Sequence, residues 1–275
     1  MMNTSILSGA TFLYLIALLF YALCLLRDGS AWGRWASGTM LLGLALHSLG
    51  LTVRWAESYR LGMGHVPLSN FYESLVFFAW TLVLVYLFAE WFLRNRSGSV
   101  FIIPMALFTM VLAFLLPVQQ SRIQPLIPAL QSNWLTIHVV TCLLSYAFFS
   151  LAFSFSLMFF TQANAAGRRI GRFLPDGQVI EAFLYSSSYL GLILLTVGIV
   201  TGAVWAYFAW GCYWSWDPKE TWSLVTWCLY IIILHSHLAF GWHGRQMAGL
   251  AIAGFAAVIF TWMGVNFLPS LHSYF

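Results

Sequence analysis

Charge is what this sequence has least of. Only 7% of its 275 side chains are Asp, Glu, Lys or Arg, against 61% hydrophobic, where soluble globular domains carry about 25% charged residues. So few charges cannot cover a surface that faces water. Apolar runs use up the length and leave no room for a separate soluble domain, so the chain reads as a polytopic membrane protein. Cysteine is sparse as well. Cys24, Cys142, Cys212 and Cys228 lie far apart and form no CxxC pair, which removes support for zinc-site or dithiol chemistry. Cys24, Cys142 and Cys228 read as small apolar groups packed in helices. The net charge of +4 is small and sits at span ends, so it is a topology signal and no nucleic-acid partner is expected. No internal repeat or low-complexity tract stands out. Residues 1–27 lack the basic leader and small-residue cleavage site of a signal peptide and read as a retained first span.

A spanning helix needs roughly 20 mostly apolar residues. Eight segments qualify: 5–26, 36–56, 71–93, 100–118, 134–160, 185–208, 220–240 and 247–264. The expected fold is all-α, about eight transmembrane helices forming a single integral-membrane domain over residues 1–275. The fifth segment is long enough to tilt or project from the bilayer. Lys and Arg in short loops set orientation. Arg27, Arg34, Arg94, Arg96, Arg168, Arg169, Arg172 and Arg245 fall on one side, and Arg54, Arg60, Arg122 and Lys219 on the other. The richer side should be cytoplasmic. Both termini, and the loops around 57–70, 119–133 and 209–219, then face the periplasm or its equivalent.

The stretch from Trp205 to Trp227, WAYFAWGCYWSWDPKETWSLVTW, holds six tryptophans: Trp205, Trp210, Trp214, Trp216, Trp222 and Trp227. It lies between the sixth and seventh spans. Such a slab either anchors helix ends among lipid headgroups or offers a flat apolar platform to a planar ligand. Asp217, Pro218 and Glu220 fit N-cap, N1 and N3 of the seventh span. A cap there would also fix the slab relative to the helix. In a second external loop, residues 64–75, Asn70 and Glu73 have the spacing of a capping pair for the third span.

Imidazole at membrane depth is uncommon and is a functional hypothesis by default. His138, about one turn into the fifth span, and His272, beyond the eighth, both fall near the outer surface at the level of the slab. Spacing leaves two readings open: axial ligands on opposite faces of a haem, or interfacial histidines with ordinary hydrogen bonds. His235 lies fifteen residues after Glu220, about 22 Å deeper at 1.5 Å per residue. His47 is near the middle of the second span. For these two, a second ligand site competes with histidines bonded to neighbouring helices. His65, His237 and His243 read as solvated loop residues.

These residues match a known pattern. Trp210 to Ser223, WGCYWSWDPKETWS, resembles the WWD motif of haem-handling membrane proteins. The continuation DPKETWSL is similar to the CcsA (ResC) branch of cytochrome c maturation, and less like the CcmC or CcmF branches. HVPLSNFYESL at 65–75, WLTIHV at 134–139 and LHSY at 271–274 also resemble CcsA signatures, and together the matches follow the same order over most of the chain. The resemblance implies a haem-binding subunit of a system II cytochrome c synthase, with haem b as ligand and substrate. It implies that His138 and His272 are the outer axial ligands and that Trp210, Trp214, Trp216 and Asp217 belong to the slab between them. His235 then serves a second haem within the bilayer. The other ligand there is expected from a CcsB (ResB)-like companion, with His47 as an in-chain substitute. The further partner is an apocytochrome c carrying CxxCH, whose thiols join the haem vinyl groups. The implied setting is a bacterial cytoplasmic membrane, or a thylakoid membrane in a photosynthetic source. Lys219, Arg54, Arg60 and Arg122 either pair with haem propionates or are solvated. Rival readings are a haem transporter without synthase activity, a subunit that delivers haem to a separate chaperone, and a cofactor-free scaffold.

Overall fold

A backbone in lipid finds no water, so its N–H and C=O groups must be satisfied within the segment, and the apolar runs become helices. A computed structural model describes residues 2–26, 30–164 and 173–269. Among these, the long helices are α1 (Met2–Leu26), α2 (Ser30–Arg60), α3 (Phe71–Leu93), α4 (Ser99–Leu115), α6 (Asn133–Asn164), α7 (Gly177–Trp210), α8 (Pro218–Phe240) and α9 (Arg245–Trp262). A four-residue helix α5 (Val118–Ser121) and two 3-10 turns, Pro128–Leu130 and Gly264–Phe267, complete the set. Among the described residues, seven helices are long and apolar enough to cross a membrane. The segment expected at 100–118 is α4, shorter at 17 residues and containing Pro104. The protein is thus an all-α polytopic membrane protein. Its helices pack as two compact units, Met1–Leu126 and Ile127–Phe275.

In the first unit, α1 buries a stripe of Leu7, Ala10, Tyr14, Ala17 and Tyr21, the spacing of one helix face, and packs against α2 and α4. Helix α3 carries a buried carboxylate near each end. Near its start, Glu73 accepts from Arg54 Nε at 2.8 Å and from the Ser69 N–H and hydroxyl, each at 2.7 Å. Near its end, Glu90 accepts from the Tyr21 and Tyr86 hydroxyls at 2.5 Å and from Ser37, with Arg96 Nε at 3.2 Å. Asn70 caps α3 by accepting from the Glu73 N–H at 2.9 Å, as its spacing predicts. Arg54 is a correction. It is not a solvated outer cation but is 1% exposed and clamped to Glu73. Removing either partner would strand a buried charge.

In the second unit α6 is the central helix, packed on α7 and α9. It has 32 residues and α7 has 34, or about 48 and 51 Å at 1.5 Å per residue, well beyond a hydrocarbon core of about 30 Å. Helix α7 turns Ile180, Leu184, Ser188, Gly191, Leu195, Gly198 and Trp205 inward. Three of its glycines admit α6 side chains. A Cβ at Gly191 would lie 2.4 Å from the Phe149 ring, at Gly198 2.6 Å from Cys142 Sγ, and at Gly202 2.5 Å from His138 Nδ1. The steps 191, 198, 202 on α7 mirror 149, 142, 138 on α6, so the two helices run antiparallel in close register through small residues. Hydroxyls of α6 are satisfied locally or across the seam, as Ser145 shows by donating to the Gly191 carbonyl at 2.7 Å. Phe149 in turn stacks on Tyr230 of α8, with ring centroids 3.5 Å apart. At the same end of the unit as Trp222, Thr226 and Thr261 clasp α8 to α9 at 2.8 Å.

The seam is testable. Gly191→Leu should cost about 1–3 kcal/mol through overpacking, read as a lower midpoint of detergent-induced unfolding. Gly249→Ala, where a Cβ meets nothing within 4 Å, should leave the midpoint unchanged or raise it.

Candidate functional site

The site is built where α7 ends and α8 begins. Gly211 stops α7 in the left-handed region at φ 80°, its N–H bonded to the Tyr207 carbonyl at 2.9 Å. Glycine adopts that φ without a Cβ penalty. Trp216 also has positive φ, at 59°, an uncommon conformation for a bulky residue that costs of order 1–3 kcal/mol and needs surrounding structure to hold it. That structure is present. Asp217 caps α8 by accepting from the Lys219 N–H at 2.9 Å, and Pro218 occupies the first helical position. Glu220 reaches back past the cap to the Ser215 N–H at 2.7 Å. The Thr221 hydroxyl donates to the Trp216 carbonyl at 3.2 Å. The loop carrying Trp214 and Trp216 is thereby tied to the first turn of α8 at Ser215 and Trp216.

The aromatic rings pack in pairs. Trp205 and Trp210 meet edge to face at 4.8 Å, Trp214 and Trp216 at 5.8 Å, and Tyr207 stacks on Tyr213 at 4.5 Å. Trp205 is 1% exposed and its indole N–H donates to the Ala129 carbonyl at 2.8 Å. Its ring lies nearly parallel to the His138 imidazole, 6.3 Å away at 14°. Trp216 is the most exposed of these rings, at 69%.

His138 is half-buried on α6. Its Nδ1 lies 2.7 Å from the Gly198 carbonyl oxygen. A carbonyl only accepts, so Nδ1 carries the proton, and in the neutral ring Nε2 keeps its lone pair. A histidine ligand characteristically donates its other N–H to a carbonyl or carboxylate, which fixes tautomer and ring orientation. The glycine at 202 makes room for the ring.

The residues singled out in sequence therefore separate. His138 lies against Trp205, which in turn meets Trp210, and Trp214, Trp216 and Asp217 lie in the adjoining loop. His272 lies outside the described residues. His235 is far along α8 and exposed, edge-on to Phe240 at 5.7 Å; it is not bonded to a neighbouring helix among the described residues. His47, in the other unit, is fully buried, with the Tyr14 hydroxyl 3.1 Å from Nδ1 and no well-formed hydrogen bond at Nε2. His65 corrects its reading as a solvated loop residue. It is 7% exposed, and its two ring nitrogens lie 3.0 Å from the Val66 and Gln124 carbonyls, which makes it an internal brace of the 64–75 loop. His237 is half-buried against Tyr185 at 4.5 Å, also unlike a solvated residue, whereas His243 is exposed beside Glu181. Sequence reading missed Gly198, Gly202 and the buried role of Trp205. The paired glycine and side-chain spacings of α7 and α6 were the signal for the first two.

Comparison with known proteins identifies the family. The cytochrome C assembly protein family matches residues 68–272. A cytochrome c biogenesis protein CcsA from Pyropia yezoensis is 39% identical over 86% of this chain and 85% of its own. Another from Chlamydomonas reinhardtii is 42% identical over 82% of this chain, which spans 64% of that protein. The chain belongs to the CcsA branch of the cytochrome c assembly protein family. Among solved structures, the cytochrome c heme lyase CcmF has a similar fold, with a TM-score of 0.69 at 19% identity over 94% of this chain. This chain spans 46% of that one.

The cap gives a direct test of the loop. Asp217→Ala should lower stability by about 1 kcal/mol, read as a lower thermal midpoint, and Asp217→Ser should recover most of it.

Proposed function

We propose that this chain is the haem-binding membrane subunit of a system II cytochrome c synthase, presenting haem b to an apocytochrome c at the non-cytosolic face. His138 and His272 are the axial ligands of that outer site. Trp210, Trp214 and Trp216 supply the apolar floor, and Asp217 holds the floor to α8. The reading is carried by one observation, the bond from His138 Nδ1 to the Gly198 carbonyl. It leaves Nε2 as a fixed, unprotonated donor atom beside large aromatic rings, the donor type that haem iron takes from histidine. Family membership supports the same reading.

When bound, haem supplies two vinyl groups, across which the two thiols of CxxCH add, each S–H giving its proton to the vinyl carbon not bonded to sulfur. The chain's own part is positioning. The α6–α7 seam sets the imidazole, and the capped loop sets the tryptophans. Orientation of this kind can supply several kcal/mol of a barrier. No acid or base of the chain is assigned to the addition.

His235 serves a second haem deeper in the bilayer. A CcsB (ResB)-like companion supplies the opposing ligand; His47, the in-chain alternative, is fully buried within the first unit against the Tyr14 hydroxyl. The whole chain acts as one haem-handling domain, in a bacterial cytoplasmic membrane or a thylakoid membrane, with both termini and the tryptophan loop on the outer side.

The test uses the full chain purified with its companion from haem-replete cells. His138→Ala and His272→Ala should each lose or shift the haem absorbance band, with imidazole restoring part of it. Gly202→Val, which fills the space of the imidazole, should weaken haem binding about 10–100-fold, the usual cost of disturbing a ligand's support. Unchanged haem content and spectrum in both histidine variants would overturn the outer site.

A further inference from the structure

We propose that Lys219 is the anion-binding residue of the outer site and pairs with a carboxylate of the haem presented there; this rests on the outer-site reading above. The second unit is nearly devoid of cations. Its only Lys or Arg residues are Arg168, Arg169, Arg172, Lys219 and Arg245. The first three lie outside the described residues. Arg245 opens α9 against the Phe160 ring, at the end of the unit away from the slab. Lys219 is the one described cation beside the tryptophan loop.

Its surroundings leave its charge available. Lys219 is half-buried, and no carboxylate lies within ion-pair distance of its ammonium among the described residues. Of the two acids nearest in sequence, Asp217 accepts from the Lys219 N–H and favours the charged ammonium without forming an ion pair with it, and Glu220 accepts from the Ser215 N–H. The ammonium makes one hydrogen bond, to Asn266 Oδ1 at 3.2 Å. Asn266 is oriented for this, because its Nδ2 donates to the Trp262 carbonyl at 3.0 Å. A neutral amide thus aims the ammonium without neutralising it, and the other two N–H donors have no partner among the described residues. A cation in partly apolar surroundings is costly unless paired. Haem carries two propionates, and an ammonium at the edge of the tryptophan loop is suited to one of them through a charge-assisted hydrogen bond.

The test compares haem with its dimethyl ester, in which both carboxylates are masked, on the full chain purified with its companion. Wild type should bind haem about tenfold tighter than the ester, the scale of one charge-assisted contact. Lys219→Met should bring that ratio close to one, mainly by weakening haem. Lys219→Arg should keep the preference, and so should Asn266→Ala, which removes the aiming amide but not the charge. Equal loss for haem and ester in Lys219→Met would show that Lys219 acts through the fold and would overturn the proposal. If wild type binds both compounds alike while His138→Ala still abolishes binding, the carboxylate contact fails and the outer site stands. If His138→Ala changes neither, the outer site itself fails.

Discussion

The 2.7 Å bond from His138 to the Gly198 carbonyl depends on how closely two helices approach. Backbone carbonyls inside a helix are normally engaged with the N–H four residues on and screened by side chains. Gly198 has no side chain to screen its carbonyl, and Gly202, one turn later, leaves a hollow for the ring. The same approach is held further along the seam by Phe149 against Gly191 and by the Ser145 hydroxyl on the Gly191 carbonyl. In lipid the hydrophobic effect does little to drive helices together, so close packing and interhelical hydrogen bonds carry the association. The seam that stabilises the unit is therefore also what sets the tautomer and direction of the imidazole. Stability and site geometry share one set of contacts.

The first unit solves a different problem. Its buried carboxylates sit at the two ends of α3, and each is satisfied by several donors: Arg54, Ser69 and the Ser69 backbone at Glu73, and Tyr21, Tyr86, Ser37 and Arg96 at Glu90. The two carboxylates are seventeen residues apart, about 26 Å along the helix, close to the thickness of the hydrocarbon core. Each clamp lies near where a membrane surface would be, so the middle of α3 stays apolar. His65, Ser58 and Asn70 extend the first clamp into the 64–75 loop. These groups are spent on one another, whereas Lys219 and His138 Nε2 in the second unit keep capacity in hand.

How much of this was legible follows from how lipid weakens pattern. The spans were readable because length and apolarity alone define them, and the caps because Asn70 and Asp217 have a local mechanism that needs no tertiary knowledge. Which way a residue points was harder to read. A soluble helix betrays its buried face by amphipathicity, but a helix apolar all round does not. His235 could therefore be placed by depth and not by direction, and its exposure emerged only in three dimensions. Arg54 and His65 misled for a related reason. Composition assigns a cation near a span end, or a loop imidazole, to solvent, yet Glu73 and two carbonyls gather both inside. Residue type spoke clearly at the tryptophans and hardly at all at Gly198 and Gly202, whose part depends on side chains sixty residues away.

The contrast between His138 and His235 bears on how the chain would work. His138 has its proton fixed by a carbonyl, a glycine hollow and a parallel indole; its ring is set before any ligand arrives, which lowers the ordering cost of binding. His235 has only an edge contact with Phe240 and faces outward from α8. An imidazole left unsatisfied in hydrocarbon is unfavourable, so its natural resolution is a group from outside the unit. On the proposed function, the inner site is then completed on association and the outer one is preset. Haem would pass from a position shared with a partner to one this chain orients itself, and the direction of transfer would be written in which imidazole is already held.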